Sequence, residues 1–74
     1  MHHTKILLHI LILTFLLGSY KGYLALWKGS DPEPFQIYPV AISSLPEADQ
    51  SSLSQGITAY SQRQLDKLLE DYLS

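Results

Sequence analysis

Residues 6–20 read ILLHILILTFLLGSY, an almost unbroken apolar run with Lys5 before it and Lys21 after it. The reading of this run sets where the folded domain begins. As a helix it would be roughly 22 Å long, against about 30 Å of bilayer hydrocarbon. That is short for a span and suits the apolar region of a signal peptide. Two features favour retention. Leu16, Leu17 and Tyr20 interrupt the small pair Gly18–Ser19, so no small-x-small cleavage site follows. Lys5 and Lys21 can snorkel, and Tyr20 and Tyr23 can sit at the headgroups, which extends the reach of the helix. The expectation is an uncleaved signal anchor over residues 1–21, with a cleaved signal peptide as the alternative. Lys5, with His2 and His3, orients the N-terminus towards the cytoplasm. A single-pass protein of the cell membrane follows, with residues 22–74 as an extracytoplasmic domain. His9 lies inside the run and has no acidic partner there. A neutral imidazole explains it better than a proton or metal site.

Moving outward, Gly22 breaks a helix leaving the bilayer. YLALW (residues 23–27) is short, aromatic-flanked and bounded by Gly22 and Gly29, and reads as a strand. Leu24 and Leu26 share one face of it; Tyr23, Ala25 and Trp27 share the other. KGSDPEP (residues 28–34) is a turn-rich link. FQIYPVAI (residues 35–42) reads as a second strand, paired antiparallel with the first. Pro39 removes a ladder donor, so this strand lies at an edge or bends there.

LPEADQSSLSQGI (residues 45–57) reads as a short helix with both ends encoded. Ser43 and Ser44 offer capping oxygens, and Pro46 suits the first turn. Glu47 and Asp49 sit at the positive end of the macrodipole. Gly56 supplies the left-handed C′ residue that ends the helix. Residues 57–60 (ITAY) make a brief third strand. Ser61 and Gln64 then have the spacing of a capping box. Leu65, Leu68, Leu69, Tyr72 and Leu73 form one apolar helical stripe. Glu70 and Asp71 sit near the C-terminus of that helix, where the dipole disfavours them. The simplest explanation is a solvated face; the sharper one is contact with a partner.

The expected class is therefore α+β: an N-terminal anchor helix, then a three-stranded sheet with two helices on one face, in the order ββαβα. The chain has 74 residues, which limits it to one small domain. It contains no Cys, which excludes disulfides and thiolate metal sites. The net charge of −2 does not point to nucleic acid. From Gly22 onward three basic residues face seven acidic ones, which does not favour phosphate backbones or anionic lipid.

Several stretches together resemble the C-terminal domain of bypass-of-forespore C proteins. These are GYLALWKG (residues 22–29), VAISSLPEADQSSLSQGI (residues 40–57) and QLDKLLEDYLS (residues 64–74). The motif positions are Leu45, Pro46, Asp49, Leu53, Gly56 and Ile57, followed by Leu68, Leu69 and Tyr72. The resemblance implies a three-stranded sheet with two helices, an extracytoplasmic location and a sporulating, Firmicute-type bacterium. The family's founding members regulate a serine protease during signalling between forespore and mother cell. The present chain reads as a small anchored member without the N-terminal domain that precedes this region in them.

No catalytic constellation is legible. All three histidines lie in the first nine residues, and there is no phosphate loop or Cys nucleophile. Glu47 and Asp49 are two apart on a helix and do not face each other. The expectation is no enzymatic activity, no cofactor, no metal and no small-molecule substrate. The expected function is a membrane-anchored module that binds another protein, with a regulatory role in sporulation or envelope signalling. The alternatives are a small structural subunit of a larger membrane complex and a cleaved, secreted protein. The candidate partner surface is the aromatic strand face of Tyr23, Trp27 and Tyr38 or the exposed edge near Pro39, with Glu70 and Asp71 as further candidates. For Tyr23 and Trp27 the competing reading is that they cover the open side of the sheet near the membrane.

Overall fold

The computed structural model describes residues 14–73. Four strands and two helices follow in order: β1 (Phe15–Tyr20), β2 (Tyr23–Lys28), β3 (Gln36–Ala41), α1 (Glu47–Gln55), β4 (Ile57–Ala59) and α2 (Gln62–Leu73). The strands form one antiparallel sheet in the order β3-β2-β1-β4. The α+β class is as the sequence pattern indicates, but the sheet has four strands, not three.

The additional strand comes from the apolar run. Phe15–Tyr20 forms an interior strand, where a helical anchor was expected. It pairs with β2 at six positions, from Phe15–Lys28 to Tyr20–Tyr23, and with β4 at three. At its centre β1 is covered on both faces, Leu17 by the core and Gly18 by the Trp27 ring and the Leu53 carbonyl, so its Phe-Leu-Leu start lacks the alternation that marks a half-exposed strand. Lys21 and Gly22 close the β1–β2 hairpin with φ of 52° and 87°. Positive φ at both central residues is the type I′ geometry, whose twist matches that of the flanking strands. Gly22 is therefore a turn residue, not a helix breaker at a membrane surface. The domain boundary expected at residue 22 moves back to include β1. Lys5, His2, His3 and His9 lie outside the described residues. Among the described residues no helix is long and apolar enough to cross a membrane.

β2 and β3 form the expected antiparallel hairpin. The register shifts between Tyr23 and Ala25, whose partners are Ala41 and Ile37, so Pro39 falls in the irregular stretch of an edge strand. A residue without an N–H belongs there.

The entry to α1 differs from the sequence reading. Ile42–Ser44 forms a 3-10 turn, and the Ser44 hydroxyl donates to the Ala41 carbonyl at 2.6 Å. Neither Ser43 nor Ser44 caps the helix, because the N-cap position is Pro46, which carries no side-chain acceptor. Gln50 Nε2 instead donates to the Leu45 carbonyl at 2.7 Å and ties the first turn to the entering chain. Gly56 ends the helix as expected, but at the C-cap and not as a left-handed C′ residue: its φ of 90° and ψ of 136° let the chain leave extended and pass directly into β4.

α2 begins with the expected cap, in modified form. Gln64 N–H donates to Ser61 Oγ at 3.1 Å, and Gln64 Oε1 accepts from the Tyr60 N–H at 2.8 Å. The reciprocal bond thus falls one residue before the cap.

The core is a single cluster of Leu17, Leu24, Leu26, Leu53, Ala59 and Leu65, with no buried polar side chain among the described residues. Leu53 of α1 and Leu65 of α2 meet the strand residues in this cluster. Leu68, Leu69 and Tyr72 extend it, whereas Leu73, the last member of the predicted stripe, is 45% exposed.

Candidate functional site

Cross-strand partners share a face, so the register sorts the strand residues into two sets. Leu17, Leu24, Leu26 and Ala59 face the core. Leu16, Gly18, Tyr20, Tyr23, Ala25, Trp27 and Ile37 face the other way.

This second face is aromatic at both ends and small in the middle. Gly18 lies opposite Ala25, and both are buried. The Trp27 indole lies across Gly18: a Cβ there would meet Trp27 Cζ3 at 3.2 Å and the Leu53 carbonyl oxygen at 3.4 Å. Tyr20 meets the indole edge-on, with centroids 6.1 Å apart at 72°. Such edge-to-face pairs contribute about 0.5–1.5 kcal/mol beyond burial. Trp27 Nε1 donates to the Pro32 carbonyl at 3.4 Å, which fixes the ring orientation from the β2–β3 link. Lys21 Nζ stands 5.3 Å from the Tyr20 ring centre, and Lys28 Nζ stands 3.7 Å from that of Phe35. Tyr23 and Ile37 are each 49% exposed and Phe35 is 58% exposed. The exposed part is an apolar strip of Tyr23, Phe35 and Ile37, beside a middle that Trp27 and the Leu53 carbonyl cover at Gly18.

The structure separates the predicted surface residues. Tyr23 and Trp27 share the aromatic face. Tyr38 does not join them: it packs against the core on the opposite face, and burial raises its phenol pKa above the ordinary 10.0. Strand parity already assigns Tyr38 a different face from Ile37, and the pairing register puts Ile37 with Tyr23. Ile37 and Phe35 were not singled out from sequence; their signal is the same parity, read from Pro39 outward.

Glu70 and Asp71 belong to a separate place. With Ile57, Thr58, Gln64, Lys67 and Leu68 they line an open groove of about 560 Å³ between β4 and α2. Burial, then Asp49 and Asp71, raise the Tyr72 phenol above its ordinary value. Asp66 accepts from Gln62 Nε2 at 2.9 Å.

The motif residues hold the helices to the sheet. Leu53 is 1% exposed; Leu45, Ile57, Leu68, Leu69 and Tyr72 pack against the core. Pro46 is the N-cap of α1, Asp49 lies in its first turn and Gly56 ends it. Among the described residues there is no group of three or more His, Cys, Asp or Glu side chains placed to hold a metal ion. No protein-family model, curated protein or solved structure matches this chain.

Proposed function

We propose that this fold is a binding module for another protein, acting without catalysis outside the cytoplasmic membrane. The observation that carries the reading is the strand surface of Tyr23, Trp27 and Ile37. Tyr23 and Ile37 are half exposed on it, and the Trp27 ring lies over Gly18 with Nε1 donating to the Pro32 carbonyl. Rigid, amphipathic aromatic side chains lose little entropy on binding and anchor protein interfaces. The resemblance carried by residues 22–29, 40–57 and 64–74 supports a regulatory role in the envelope of a sporulating bacterium. The orientation given by Lys5 supports the extracytoplasmic side. Glu70 and Asp71, on their own groove, make a second, acidic contact that completes the surface for a larger partner.

A photo-crosslinking amino acid at position 23 of the full chain, expressed in intact cells, tests this. A discrete protein adduct is expected from position 23 and not from position 51, an exposed site on α1. Equal adduct patterns from the two positions refute the aromatic face as the binding surface.

A further inference from the structure

Two structures that exclude each other would draw on one stretch of chain. The apolar run of residues 6–20 reaches roughly 22 Å as a helix and needs all of that length to approach a bilayer's thickness of about 30 Å. Without Phe15–Tyr20, residues 6–14 reach only roughly 13 Å. The same six residues are the interior strand β1, which contributes the fully buried Leu17 and pairs with both neighbours. Withdrawing β1 leaves β4 with no strand to pair with and β2–β3 as a lone hairpin, which is marginal in water. It also uncovers Leu24, Leu26, Leu53 and Leu65.

We infer that membrane insertion of the run and folding of the domain are mutually exclusive, so the module is assembled only when Phe15–Tyr20 is out of the bilayer. The inference rests on the membrane-side placement proposed above, but not on the aromatic face. The aromatic face is built from β1 as well, through Gly18 and Tyr20. Insertion therefore removes the binding surface together with the core, and the membrane acts as a switch on binding. Linkage then requires that anything weakening the fold favours the inserted state, however far it lies from the run.

Two substitutions outside the run test this linkage. Gly22→Ala adds a methyl group in open space, with nothing within 4 Å, so its effect is confined to the backbone strain at φ 87°. Leu65→Ala opens the core from α2, where Leu65 is 3% exposed. The full chain is diluted from urea into phosphatidylcholine vesicles. Flotation reads the bound fraction, far-ultraviolet circular dichroism its helix content, and amide exchange the protection of β1 and β2. The expected result is a bound form that is helical and has lost strand protection. G22A should raise the bound-to-free ratio about fivefold, as a left-handed non-glycine residue implies. L65A should raise it at least about tenfold. A bound chain whose strand amides are as protected as in buffer overturns the exclusivity and leaves tethering intact. A bound fraction unchanged in both variants overturns it as well. Failure of every form to bind vesicles overturns both the switch and the membrane placement.

Discussion

The substitution Leu17→Ala asks whether the apolar run belongs to the fold. Leu17 is fully buried in the middle of β1, opposite Leu26 on one side and Ile57 on the other. Truncating a leucine in such a site costs about 2–5 kcal/mol, the lost transfer energy plus the cavity left behind. A single core of this size rarely supplies more than about 3–5 kcal/mol in total. Losing three carbons from this one site therefore takes most of the stability. With a urea slope of about 1 kcal/mol/M, the unfolding midpoint falls by at least about 2 M. Trp27 is the only tryptophan and lies on the neighbouring strand, so its fluorescence in the full chain follows the transition. Leu73→Ala is the control, since that side chain is 45% exposed and should shift the midpoint by less than about 0.5 M. If L17A unfolds at the same urea concentration as L73A, β1 is not part of the cooperative core and the four-stranded sheet is wrong.

Two further outcomes follow from local geometry. Ser61→Ala removes the acceptor for the Gln64 N–H and frees the side chain that satisfies Tyr60, so it should cost about 1 kcal/mol in urea unfolding. The phenols of Tyr72 and Tyr38 are both raised above 10.0, Tyr72 by burial, Asp49 and Asp71, and Tyr38 by burial. The folded state thus holds these protons more tightly than the unfolded state. Their contribution is complete below pH 10 and is lost as pH rises from there through the folded-state values. The urea midpoint should be flat in this respect up to pH 9 and fall above pH 10, and Tyr72→Phe should blunt the fall.

Much of the fold is local chemistry and is legible in the chain. Gly56 closes α1, Ser61 and Gln64 open α2, and Leu65, Leu68, Leu69 and Tyr72 mark the side of α2 that packs against the core. Strand parity predicts that Leu24 and Leu26 turn away from Tyr23 and Trp27. Pro39 predicts its own place at an edge. Each of these depends on residues within a few positions of one another. Ser43 and Ser44 mislead because Pro46 fixes where the helix starts, two residues later, and the serines turn back into a 3-10 turn.

The candidate surface was only half legible for the same reason. Tyr23 and Trp27 share a face by parity alone, but whether Tyr38 or Ile37 stands beside them depends on how β2 pairs with β3, and that pairing contains an irregularity. By itself the sequence determined two helices, two hairpin strands, a short strand between the helices and an apolar run ahead of them. Only the tertiary structure decided that Phe15–Tyr20 is an interior strand. A continuous apolar segment satisfies a bilayer and a sheet interior equally well, since both ask only for apolar side chains on every side. The choice is made by partners distant in sequence: β4, which pairs with Phe15, Leu16 and Leu17, and the leucines of two helices that close over the strand.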